Sequence, residues 1–240
     1  QTWGLKIVYN RSFSKEIKMK MNPFNSYEDV TEEEYRFLRK ASVKTSLQMT
    51  ESLFGNTRLA EMVRVFSAIT KSLRIDYFII GGLAFAIWGR TRATLDADII
   101  VIISPDKVLE LLNAMSLVGF KGRTTDHKKI ARGAATKISY ADRFSIDLRM
   151  ASFRIDRAAM NRAVQFNIFG VKVKFATKED LIVYKLARFD EQDKADIRSI
   201  VKRWGKGLDI DYVQKAAGEL HEEYDEKVLD NLQTILQWVK

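Results

Sequence analysis

Tyr77-Phe-Ile-Ile-Gly81-Gly82-Leu-Ala-Phe-Ala-Ile-Trp-Gly-Arg90-Thr-Arg92-Ala-Thr94-Leu-Asp96-Ala-Asp98-Ile-Ile-Val-Ile-Ile103 is the stretch that decides the fold. An apolar run ends in a glycine pair, thirteen residues follow, and two aspartates spaced i, i+2 open a second apolar run. Two strands joined by a short helix account for the whole pattern. Side chains alternate across a strand, so Asp96 and Asp98 share one face while Ala97 and Ile99 take the other. Two neighbouring carboxylates at the mouth of a buried strand repel each other. A divalent cation with oxygen ligands, Mg²⁺ above all, offsets that repulsion.

A third carboxylate lies further along the chain. In Phe144-Ser-Ile-Asp147-Leu-Arg-Met150, the apolar residues Phe144, Ile146, Leu148 and Met150 share one face, and Ser145, Asp147 and Arg149 share the other. If this strand lies beside the one opened by Asp96, three carboxylates meet on one edge. Such a cluster can hold two Mg²⁺ ions about 3.5–4 Å apart. Gly81-Gly82 sits between a strand and a helix, where backbone approaches phosphates closely and free amides favour anions. A phosphate cradle and a carboxylate cluster joined by a short helix are the two halves of a phosphoryl- or nucleotidyl-transfer site.

These residues resemble the DNA polymerase beta-type nucleotidyltransferase superfamily: apolar residue, Gly-Gly, about a dozen residues, Asp-apolar-Asp-apolar, then a later strand Asp. Gly81-Gly82-Leu-Ala84 followed by Arg92-Ala-Thr94-Leu-Asp96-Ala-Asp98 is similar to the AbiEii-like branch, which includes toxins of toxin–antitoxin systems. The helix Asp180-Leu-Ile-Val-Tyr-Lys185-Leu-Ala-Arg188 also resembles that branch, where a lysine stands near the nucleotide phosphates. The branch then shows Lys-Asp-x-x-Asp-Ile; Asp193-Lys-Ala-Asp196-Ile197 keeps both acids, but Gln192 stands in the place of the Lys. The resemblance spans roughly residues 60 to 205.

The resemblance implies a mixed-sheet nucleotidyltransferase core, Mg²⁺ (two ions, with Mn²⁺ able to replace them) and a nucleoside triphosphate such as ATP as donor. Asp96, Asp98 and Asp147 would be metal ligands and catalytic residues, Asp147 also serving as general base. Gly81 and Gly82 would hold the β- and γ-phosphates, and Lys185 and Arg92 would neutralise phosphate charge. The acceptor hydroxyl belongs to RNA or tRNA, a protein or a small molecule, and an antitoxin protein is a further expected partner. Against this stands a catalytically inactive nucleotide- or nucleic-acid-binding protein of the same fold.

Composition narrows the classes. The chain has 240 residues, 46% hydrophobic and 30% charged, in the range of ordinary globular domains. No apolar run approaches the ~20 residues that span a bilayer. The absence of cysteine excludes disulfides, thiolate metal sites and cysteine nucleophiles, and fits a reducing, cytoplasmic compartment. Two histidines make an imidazole zinc site a poor reading. A net charge of +9 suits a polyanionic partner such as RNA or nucleotide phosphates.

Outward from the central stretch, the pattern predicts an α+β protein: a mixed sheet flanked by helices, with helical segments at both ends. Residues 1–30 form an ill-defined N-terminal segment, with a short strand at Leu5 to Tyr9 and a processed end or expression remnant at Gln1. Residues 31–175 form the core with its N-terminal helices, and 176–240 a C-terminal helical region. Thr31 with Glu34 reads as a capping box for a helix to about Leu53; Leu59 to Leu73 is a second helix. Ser104-Pro105 reads as N-cap and N1 of a third. Residues 121 to 132 form a basic connection, with His127 at the surface. Hairpins are expected at 135–150 and 164–175, a helix capped by Thr177, and helices near 192–204, 209–220 and 223–238. On the helix at 192–204, Asp193 and Asp196 read as surface acids.

Overall fold

The computed structural model describes residues 32–55, 57–90, 94–123, 125–141, 143–224 and 227–239. The Leu5 to Tyr9 strand, the Thr31 cap and Arg92 lie outside them. The sheet with its flanking helices belongs to a compact unit over residues 42–240. No helix among the described residues is long and apolar enough to cross a membrane.

In chain order the elements are α1 Glu32–Phe54, α2 Arg58–Leu73, β1 Asp76–Ile80, α3 Gly81–Trp88, β2 Asp96–Ile102, α4 Val108–Leu117, β3 Phe120–Lys121, α5 Asp126–Ile130, β4 Thr136–Tyr140, β5 Phe144–Met150, α6 Arg154–Arg162, β6 Val164–Ile168, β7 Val171–Phe175, α7 Lys178–Leu186, α8 Glu191–Trp204, α9 Ile210–Glu223 and α10 Lys227–Trp238. The seven strands make one mixed sheet in the order β3-β4-β5-β2-β1-β7-β6. After Phe175 the described elements are helical. This is the expected mixed sheet flanked by helices.

The centre of the sheet is built from the 77–103 stretch. β1 and β2 pair antiparallel, with Ile79 opposite Ile99 and Ile80 opposite Asp98. β2 runs parallel to β5, and β1 parallel to β7. Buried on both faces, these strands have the near-continuous apolar character of Ile99-Ile-Val101. α2 lies on one face: Leu59, Met62, Val63 and Phe66 are buried at helical spacing, and Phe66 meets Tyr77 edge-to-face at 5.2 Å. On the other side α3, α7 and α8 pack together. Trp88 and Trp204 meet edge-on at 5.8 Å, and both indole N–H groups are satisfied, Trp88 donating to the Ala176 carbonyl and Trp204 to that of Trp88.

Three expectations need correction, and one helix, α6, lies outside the expected set. Ser104 makes no side-chain cap; a 3₁₀ turn over Pro105–Lys107 precedes α4. The basic connection begins on the last residue of β3 and contains the short helix α5. α6 carries only two apolar residues on its buried face, Ile155 and Ala159, so it has little periodicity to read. Its start is held by Asp156, which accepts from the Ser152 and Phe153 amides at 2.8 and 3.0 Å. Asp193 and Asp196 are buried, 1% and 0% exposed, because cations from other elements pair with them.

Candidate active site

Register brings the three strand acids onto one face. Asp98 in β2 lies opposite Asp147 in β5, and Asp96 opposite Ser145, whose hydroxyl donates to the Asp96 carboxylate. Burial, then the facing Asp147 carboxylate, pushes the Asp98 carboxyl above the usual carboxylate range; the Gly82 amide and Lys185 pull against it. Asp147 is likewise pushed up by burial, with Lys137 opposing and Asp96 adding to the rise.

The glycine turn is built around Asp98. Gly81 has φ +61°, a left-handed conformation that glycine adopts without a Cβ penalty. A methyl there would overlap the Asp98 carboxylate and come within 2.9 Å of its Cβ. The next residue, Gly82, gives its amide hydrogen to the same carboxylate. The turn thus holds the acid by contact and by hydrogen bond, at the N-terminus of α3, where the helix dipole favours negative charge.

A cleft of about 470 Å³ opens over this turn. Asp96, Asp98, Gly81 and Thr94 form one side, and Tyr184, Lys185 and Arg188 of the α7 region with Gln192 and Asp193 of α8 form the other. Asp147 is not part of the cleft lining; it stands one strand further out. Lys185 is ion-paired to Asp193 and lies 3.7 Å from Asp196, with its ammonium 5.4 Å from the centre of the Phe85 ring. Arg188 donates to both Asp193 oxygens, at 2.9 and 3.0 Å. Burial alone would raise the Asp193 carboxyl, but these hydrogen bonds, Arg188's first, hold it below the usual range. Asp196 binds Arg90 at 2.9 Å.

Sequence reasoning missed Arg188, Asp193, Asp196 and Arg90 as one network. The i, i+3 spacing of the two acids was visible; the cations that bury them come from α7 and from the end of α3. A second network lies behind the cleft wall. Arg149 forms a bidentate pair with the fully buried Asp156 at 2.6 and 2.7 Å, and the Tyr184 hydroxyl donates to Asp156 at 2.9 Å. It fixes the ring of Tyr184 in the cleft lining.

Among the described residues, no group of three or more histidine or acidic side chains lies close enough together to hold a metal ion. The donor chemistry nonetheless fits a hard divalent cation. Asp96, Asp98 and Asp147 offer only oxygen, and the Lys137 ammonium already lies 3.3 Å from Asp96 and 3.8 Å from Asp147. Positive charge is at home between those carboxylates.

No curated protein is significantly similar in sequence. Among solved structures, the chain is similar to an antigenic nucleotidyltransferase-like protein from Paracoccidioides brasiliensis, with 19% identity and a TM-score of 0.46 over 73% of this chain and 92% of that one. It is similar to the antibiotic-resistance factor ANT(2'')-Ia, with 16% identity and a TM-score of 0.47 over 68% and 91%. A third is the lincomycin-bound lincosamide antibiotic adenylyltransferase LnuA, with 12% identity and a TM-score of 0.42 over 58% and 94%. The sequence profile of one family, described as nucleotidyltransferase of unknown function (DUF6036), matches residues 57–239. With most of its length, the glycine turn and all three strand acids inside that match, the chain belongs to this nucleotidyltransferase family.

Proposed function

We propose that this protein is a Mg²⁺-dependent nucleotidyltransferase that moves a nucleoside monophosphate from a nucleoside triphosphate to an acceptor hydroxyl. The observation that carries this reading is the pairing of Asp98 with Asp147, beside Asp96, at a turn where Gly81 leaves no room for a side chain. Acids held together at a cost to stability are the signature of a site kept for chemistry.

Asp96, Asp98 and Asp147 would hold the divalent cations, two Mg²⁺ with Mn²⁺ able to substitute. Bound there, the metal supplies charge against the triphosphate and eases ionisation of the acceptor hydroxyl. Lys185 and Arg188 face the acids across the cleft and would neutralise the β- and γ-phosphates, with Asp193 fixing both cations in place. Arg92 remains a phosphate-side candidate on sequence alone. Gly81 and Gly82 keep the backbone close to the phosphates, although the Gly82 amide is engaged by Asp98. The acceptor oxygen bonds to the α-phosphorus as the bond to the bridging oxygen breaks and pyrophosphate leaves. Asp147, whose carboxyl burial pushes above the usual carboxylate range, would take the hydroxyl proton.

Among acceptors we favour RNA, on the net charge of +9. Within the superfamily we favour the AbiEii-like branch. Its second acidic motif, incomplete here at Gln192, still supplies the two acids that hold Lys185.

The test is incubation with each α-labelled nucleoside triphosphate, Mg²⁺, and separate RNA, protein and small-molecule pools. Label is expected in RNA and absent with Asp98→Asn. Label in another pool would move the acceptor class. Transfer that persists undiminished in Asp98→Asn would overturn the catalytic assignment, and triphosphate binding without transfer would favour the inactive binding protein.

A further inference from the structure

Lys137 stands in β4 directly opposite Asp147, on the sheet face that carries the acids. β4 alternates cleanly: Thr136, Ile138 and Tyr140 are buried, while Lys137 and Ser139 are exposed. Nothing in the packing of the core requires a lysine here, and its side chain is 56% exposed. The ammonium nevertheless lies 3.3 Å from Asp96 Oδ2 and 3.8 Å from Asp147 Oδ2, joining acids from two different strands. The cations on the opposite side of the cleft are committed elsewhere, Lys185 and Arg188 both to Asp193. A hydrated, exposed ammonium on a flexible stem is a weakly held counter-ion that solvent can take back.

We propose that Lys137 is a resident counter-ion of the acidic face, occupying the ground between Asp96 and Asp147 until a divalent cation displaces it. This rests on the reading of Asp96, Asp98 and Asp147 as cation ligands. Lys137 therefore sets how much divalent cation the site needs in order to load. It lowers affinity for the cation while relieving repulsion among the carboxylates in the metal-free protein. Displaced, the ammonium stays tethered one strand beyond Asp147, on the side away from the glycine turn.

The test is Mn²⁺ binding to the full chain without nucleotide, by calorimetry and by loss of the free-ion electron paramagnetic resonance signal. Lys137→Met is expected to bind Mn²⁺ about two- to thirtyfold more tightly than wild type, the range that two exposed ion-pair contacts span. Lys137→Arg, which keeps the charge, is expected to bind like wild type. Lys121→Met, on the neighbouring strand β3, is a control expected to leave affinity unchanged. Circular dichroism and the melting temperature establish that each variant is folded. Equal or weaker Mn²⁺ binding by folded Lys137→Met sinks the proposal, while wild-type binding that is lost in Asp98→Asn keeps the ligand reading intact. Binding by Lys137→Arg as tight as by Lys137→Met refutes the charge argument. Absence of Mn²⁺ binding by wild type overturns both the proposal and the ligand reading.

Discussion

Gly81→Ala separates two costs that usually arrive together, backbone strain and collision. Gly81 and Gly170 both have positive φ, +61° and +74°. Added Cβ atoms meet opposite fates: at Gly170 there is nothing within 4 Å, while at Gly81 the methyl overlaps the Asp98 carboxylate. Left-handed backbone costs a non-glycine residue about 1–2 kcal/mol, less about 0.4–1 kcal/mol regained from the stiffer unfolded chain. Gly170→Ala should therefore lose about 1 kcal/mol and no activity. Gly81→Ala adds an overpacking cost of about 1–3 kcal/mol, for a total near 2–4 kcal/mol. At about 2–4 °C per kcal/mol for a domain of this size, its melting temperature should fall by roughly 4–16 °C. The collision also moves the carboxylate on which the proposed chemistry depends. A displacement of about 1 Å there should cut transfer on the order of a hundredfold. Urea titrations of the two alanine variants, of Asp98→Ala and of Gly81→Ala/Asp98→Ala measure the coupling directly. The double variant should be more stable than the sum of its parts, because most of the collision disappears with the carboxylate. Equal destabilisation in Gly81→Ala and Gly170→Ala, or additive behaviour in the double variant, would refute the claim that the turn is shaped around Asp98.

Three further outcomes are expected from the same geometry. Asp98→Asn removes a carboxylate that burial and Asp147 hold above its ordinary pKa, while the amide oxygen can still accept from Gly82; it should be more stable than wild type at pH 7 in urea unfolding, yet inactive. Asp156→Ala leaves the Arg149 guanidinium, 14% exposed, without its bidentate partner and should cost about 3–5 kcal/mol. Burial opposes ionisation of Asp156, but Arg149 wins and the folded pKa is lowered. Its stabilisation is thus present above the unfolded carboxylate value and lost as pH falls through the folded one. A stability–pH curve for the variant should show a shallower acid limb than wild type, and an identical limb would show that Asp156 is not ionised in the fold. Asp193→Asn loosens both Lys185 and Arg188, so KM for the nucleoside triphosphate should rise about tenfold, the equivalent of one good charge-assisted hydrogen bond. An unchanged KM would remove Lys185 and Arg188 from the phosphate site.

The strand–turn–helix–strand unit was legible because each of its parts is written locally. The apolar run, the glycine pair and the i, i+2 acids lie within 27 consecutive residues, 77 to 103. Asp147 was legible for a related reason: strand alternation puts it on the same face as Ser145 and Arg149 before any partner strand is known. Its exact partner was not, since register is a long-range property, and only the sheet sets Asp147 opposite Asp98. The buried acids of α8 illustrate the limit more sharply. Asp193 and Asp196 lie on a helix with an apolar stripe of Ile197, Ile200 and Val201, where charges are by default solvent-facing. Their burial depends on Arg90, 106 residues away, and on two cations presented by the end of the preceding helix. Arg149 and Asp156 are close in sequence, but a bidentate pair requires the turn after β5 to fold back, and nothing in Ala151-Ser152-Phe153 announces that.

The network of buried acids has a consequence for how the cleft reads its ligand. On the sheet side the lining is negative, with Asp96 and Asp98; on the helical side it is positive, with Lys185 and Arg188. The two sides offset each other only in part, because Asp193 and Asp196 pair with Lys185, Asp193 pairs with Arg188, and Lys137 sits against the acids from the far strand. Each side thus has a counter-ion of its own besides the other side, Asp193 within the cleft lining and Lys137 beyond it, and the cleft keeps a separation of charge across its width. A simple anion would be drawn to Lys185 and Arg188 and repelled by the acids; a bare cation would meet the reverse. A divalent cation joined to a polyphosphate satisfies both sides at once, its metal towards the carboxylates and its phosphates towards the cations. Metal and nucleotide should therefore bind with positive cooperativity, each tightening the other by the same factor. Mn²⁺ titrations with and without a non-hydrolysable triphosphate measure that factor. Independent binding of the two would mean that the opposed charges serve the fold and not a ligand.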